Sequence, residues 1–157
     1  MKFLISKDLG YNKLLSFLMI AVVMSILMYL VLDAVLHGYV IGFDLHSIDS
    51  TLYGNTETFE EPVLIDSLLM QVHIDLFMTI FSLLTLASIY IRLYKKEKAN
   101  RWLLHVLFGT GIAAPTFLLA AYFFSKPFMY AWLVTFLLWH LLAVMLSVII
   151  LKKLYTK

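Results

Sequence analysis

Cysteine is absent from the 157-residue chain. That excludes disulfides, thiol redox chemistry, cysteine-held iron–sulfur clusters and covalently attached c-type haem. Any bound metal must be held by His, Asp, Glu, Met or backbone oxygen. Charge is scarce as well. Charged residues make up 14% of the chain and hydrophobic ones 62%, against roughly 25% and roughly 45–50% in soluble domains. A net charge of +2 offers nothing to a nucleic acid. No P-loop, dinucleotide glycine fingerprint or G-x-S-x-G is present, so catalysis of the soluble-enzyme type is not expected. There is no internal repeat, low-complexity stretch or linker, and the length fits one compact unit, residues 1–157.

What the chain has instead is long apolar runs. About 20 mostly apolar residues suffice to span a bilayer as a helix. Four stretches qualify, at about 14–40, 63–93, 102–124 and 128–151. The basic N-terminal segment leads into an apolar run, Leu14 to Leu32, that exceeds the roughly 7–15 residues of a signal-peptide core. An uncleaved first span is therefore expected. The fold expected is an all-α integral membrane protein, a four-transmembrane-helix bundle.

The connections assign sides. Every Lys and Arg except Lys126 falls at one face of such a bundle, including Lys2, Lys7, Lys95, Lys96, Lys98 and Lys157. The 41–61 loop holds Asp44, Asp49, Glu57, Glu60 and Glu61 and no Lys or Arg. Basic residues gather on the cytoplasmic side. The expectation is an N-in/C-in protein of a plasma membrane, the bacterial inner membrane fitting best, with 41–61 as an external polar loop. Pro62 suits the first turn of the second span. Pro115, beside Gly109, Gly111, Ala113 and Ala114, predicts a kinked third span that packs closely on a neighbour. Trp102, Trp132 and Trp139 read as interfacial anchors and lipid-facing bulk, and His105 belongs with them near the headgroups.

The organising stretch is 62–95, because it carries Asp66, Gln71, His73 and Asp75 inside a membrane span. Ionisable groups within a bilayer are costly and usually face a bundle interior or a wet cavity. At a rise of ~1.5 Å per residue, His73 lies ~15 Å below the start of the second span and His140 ~18 Å below that of the fourth. Asp33 and His37 share one face of the first span, with His37 near its outer edge. Gln71, Asp75, Thr79 and Ser82 form one stripe, whereas His73 points about 160° away from Asp75. A stripe on each side of this span implies partners on both, within the bundle or in a second subunit.

Three chemistries suit these residues. Bis-histidine haem b needs two imidazoles from different helices at matching depth, which points to His73 and His140. Small residues next to His140 (Ala143, Ser147) leave room for a flat ring. A non-haem metal at the outer mouth would draw on Asp33, His37, His46, Asp66 and His73, with zinc, iron or copper suited to such a set. A buried polar or proton relay would use Gln71 and Asp75 with the histidines. A non-catalytic subunit of a larger membrane complex is the plainer alternative.

Four helices with buried histidines and short ends resemble the broad class of small membrane cytochromes b. The resemblance rests on architecture and on His73 and His140. It implies haem b, electron transfer, and a quinone or larger membrane complex as partner; the composition itself makes the lipid bilayer a partner, and a four-helix chain that passes protons or ions would need to form a homo-oligomer.

Overall fold

The computed structural model describes residues 13–94 and 101–156, which form five helices in chain order. They are α1 (Lys13–Val40), α2 (Leu45–Tyr53), α3 (Ile65–Leu93), α4 (Arg101–Phe123) and α5 (Pro127–Tyr155). All but α2 are long and apolar enough to cross a membrane. The shortest of the four, α4 with 23 residues, extends ~35 Å, longer than a hydrocarbon core of ~30 Å. The expected charges at Lys2, Lys7, Lys95, Lys96, Lys98 and Lys157 lie outside the described residues.

The 41–61 segment is more ordered than a polar loop. The Asp44 carboxylate accepts the Ser47 N–H at 3.0 Å and the Ser47 hydroxyl, which starts α2. Ile48 and Leu52, one turn apart, turn inward and are buried. Gly54, at φ 78°, closes the helix by donating its N–H to Ser50 O. A side chain there would meet Glu60 O at 2.9 Å. Pro62 does not open α3, which begins at Ile65. The chain after Pro62 stays extended because the Val63 N–H donates to Thr51 O, tying it to α2.

Helix α5 runs through the middle and meets α1, α2, α3 and α4. Pro127 sits in its first turn, where a missing N–H costs no helical bond. Apolar burial divides into two clusters. One, at the α2 end, joins Ile48, Leu52, Leu68, Val72, Leu118 and Trp132. The other fills the far half with Val23, Leu30, Leu83, Leu107, Leu146 and Ile150. Trp132 and Trp139 are not lipid-facing anchors: both are at most 2% exposed. Their bulk fills the gap between α5 and its neighbours, while Trp102 is largely exposed.

Candidate metal centre

Between the two apolar clusters lies a polar layer built from α1, α3 and α5. Asp33 and His37 stand one turn apart on α1, and both are buried. His37 donates its Nδ1–H to the Asp33 main-chain carbonyl at 3.0 Å, and its Nε2 lies 3.0 Å from Asp75 Oδ2 on α3. The second oxygen of Asp75 accepts from Gln71 Nε2 at 3.0 Å. Across the layer, His140 on α5 donates Nδ1–H to Phe136 O at 2.9 Å, and its Nε2 lies 3.0 Å from Asp33 Oδ2. The order is thus Gln71–Asp75–His37–Asp33–His140, a continuous polar chain through three helices.

The hydrogen bonds fix the tautomers. A carbonyl only accepts, so each Nδ1 carries a proton, and each Nε2 is turned to a carboxylate, with which it hydrogen-bonds by sharing one further proton or which it joins as a lone pair aimed at a common cation. Metal-ligating histidines show this arrangement: one ring nitrogen is held by a carbonyl or carboxylate, which orients the other toward the ion. Ligand atoms of Asp33, His37 and Asp75 all lie within 4.8 Å of one another. The Phe136 ring packs against both imidazoles, with centroids 4.6 Å from His37 and 4.2 Å from His140. Trp132 and Trp139 close the same side. A cleft with space for about one water is lined by Asp33, His37, Asp75, Thr79 and Pro115, among others. The Tyr29 hydroxyl is buried in the same layer, beside Asp33, Asp75 and Thr79.

The sequence-predicted residues divide sharply. Asp33, His37, Asp75, Gln71 and His140 come together. His73 is exposed on the opposite face of α3 from Asp75, so it does not meet His140, which is bonded to Asp33. His46 is exposed on α2, and Asp66 is exposed at the start of α3, where its carboxylate accepts the Ser67 N–H. His37, in the last turn of α1, is 2% exposed and covered by α3 and α5. Tyr29 had a sequence signal, since it precedes Asp33 by four residues and so shares its face. His105 is exposed one turn into α4, away from this layer.

No curated protein and no solved structure matches the chain. A family model does, over residues 42–157, which takes in α2 to α5 with Asp75 and His140 and begins after Asp33 and His37. The chain is accordingly a multi-pass membrane protein and belongs to the Aq_1264_TM family of transmembrane helical domains.

Proposed function

We propose that this membrane protein binds a single divalent transition-metal ion in its polar layer, with Asp33, His37 and Asp75 as ligands. The observation that carries the reading is the convergence of these three side chains, all buried, within 4.8 Å. One nitrogen and two carboxylate oxygens, with no sulfur, suit zinc or iron and suit copper in its oxidised state. Two carboxylates inside a bilayer also need neutralising charge, which a divalent ion supplies. The buried Tyr29 hydroxyl, beside Asp33 and Asp75, gives such an ion's shell a further polar neighbour. The charge asymmetry of the sequence favours the bacterial inner membrane, with the α2 segment outside.

Haem b on His73 and His140 has less support, because the first imidazole is exposed and the second is engaged by Asp33. The test is metal analysis of the detergent-purified protein, with a visible spectrum of the same sample. One zinc, iron or copper ion per chain is expected, lost in His37→Ala and Asp75→Asn and retained in His73→Ala. A protein that takes up none of the three ions, or a Soret band that vanishes in His73→Ala, would overturn the reading.

A further inference from the structure

His73 presents a problem that the metal centre does not solve. It lies eight residues into the 29-residue α3, about 9 Å from the helix midpoint and so inside a hydrocarbon half-thickness of about 15 Å. Its side chain is exposed. Three outward-facing hydroxyls satisfy themselves, Ser25, Thr85 and Thr116 each donating to the carbonyl four residues back, while Ser88, nearer the end of α3, does not. His37 and His140 make that same bond through Nδ1. His73 makes no hydrogen bond among the described residues, and it is too short to reach the headgroups as Lys or Arg would.

The surroundings of His73 have a pattern. Asp66, Met70, His73, Phe77, Ile80 and Leu84 follow one another at spacings of four, three, four, three and four, and all are exposed. That is the 3.5-residue repeat of a helix seam that packs knobs into holes on a partner helix. A single polar residue within an apolar seam fixes register and oligomeric state. Two copies inserted with the same topology are related by a two-fold axis along the membrane normal, so equivalent residues meet at equal depth. His73 would then face His73 of the second copy, with Met70, Phe77, Ile80 and Leu84 forming apolar layers around the pair. A neutral imidazole has one donor and one acceptor. Two of them therefore complement each other without any other partner, and Asp66 falls at the water-facing end.

We infer that α3 is a homodimer interface, with a second copy of this chain seated along the His73 seam and the two His73 side chains hydrogen-bonded across it. The absence of cysteine gives a clean experiment. Phe77→Cys, one turn from His73 on the seam, is introduced into the full chain and oxidised in native membranes. Leu141→Cys, on the exposed face of α5, is the control. A disulfide-linked dimer is expected from Phe77→Cys and not from Leu141→Cys. Adding His73→Ala should lower the cross-linked fraction about fivefold, given the modest strength of interhelical hydrogen bonds in membranes, while His73→Asn should largely preserve it. If Phe77→Cys cross-links no better than Leu141→Cys, or if His73→Ala leaves the cross-linked fraction unchanged, the inference fails. Metal content plays no part in this readout, so its result is independent of the buried site.

Discussion

Helices α1 and α5 are both almost wholly apolar, yet the bundle holds them by different means. In the most apolar window of α5, 39% of residues are buried; in that of α1, 22% are. Helix α5 turns Trp132, Phe136, Trp139, Leu146 and Ile150 inward and touches every other helix. Helix α1 buries six residues, of which two are Asp33 and His37. In water the apolar surface of α1 would itself drive docking. In lipid it does not, because hydrocarbon tails solvate Leu and Met as well as a neighbouring helix does. Hydrogen bonds and close packing remain, and α1 has little of the second. Its attachment therefore depends on the bonds from Asp33 to His140 and from His37 to Asp75.

The largest expected effect follows from that contrast. Asp33→Ala leaves His140 Nε2 buried without a partner and removes a neighbour of His37. Truncating one member of a buried pair costs roughly 3–5 kcal/mol, because the other is left uncompensated. Unfolding by SDS titration in mixed micelles should show a loss towards the lower end of that range. The double variant Asp33→Leu with His140→Leu should recover part of it, since His140 is then no longer stranded. Equal losses in the single and double variants would mean that α1 is held by packing, as α5 is.

A second comparison sits within α4. Gly109 and Gly111 are two residues apart, but a Cβ on Gly109 meets nothing within 4 Å. On Gly111 it meets Thr79 Cγ2 at 2.9 Å, Leu83 Cδ1 at 3.1 Å and Trp139 Cε3 at 3.4 Å. Thr79 and Trp139 also line the cleft beside Asp33, His37 and Asp75, and neither end is the tip of a flexible chain. Gly111→Val should therefore cost about 1–3 kcal/mol by overpacking and lower metal occupancy through displacement of Thr79. Gly109→Ala should be neutral or gain up to about 1 kcal/mol from helix propensity. Similar unfolding curves for the two variants would place the α3–α4 contact elsewhere.

These contrasts mark what a sequence of this kind discloses. The four spans were legible because bilayer thickness dictates a minimum run of apolar residues, and nothing about the neighbours is needed to see it. The stripe of Gln71, Asp75, Thr79 and Ser82 was legible because helical periodicity places residues on a face; Asp75, Thr79 and Ser82 are indeed buried, with Gln71 bonded to Asp75. The same periodicity separates His73 from Asp75. Which face meets which was not legible. Asp33 and His140 are 107 positions apart, and no local rule pairs them. Helix α2 was hidden for another reason: with 9 residues it is too short for a hydropathy signal. Asp44 followed three residues later by Ser47, then Ile48 and Leu52 one turn apart, was the mark of a capped amphipathic turn.

Helix α2 tests whether polar attachment matters only where it is buried. It is seated on the bundle by Ile48 and Leu52, by the Tyr53 hydroxyl donating to Ala121 O, and by Lys126, which pairs with Asp49 at 2.6 Å and covers the Tyr53 ring. Its first turn rests on Asp44, whose pKa the Ser47 hydroxyl and N–H hold below the ordinary value of 3.8. A carboxylate with a depressed folded-state pKa stabilises the fold above its unfolded value and loses that contribution as pH falls through the folded one. Protection of the first amides of α2 against hydrogen exchange, corrected for intrinsic rates, should thus be constant above about pH 5 and decline below pH 4. Asp44→Asn should remove the decline, because its amide oxygen caps without titrating. Asp44 is fully solvated, so the expected change stays local and leaves SDS unfolding of the bundle unmoved. A pH-dependent loss of global stability that disappears in Asp44→Asn would instead make α2 a structural clamp on α5, and the distinction between buried and exposed polar attachment would fail at this end of the molecule.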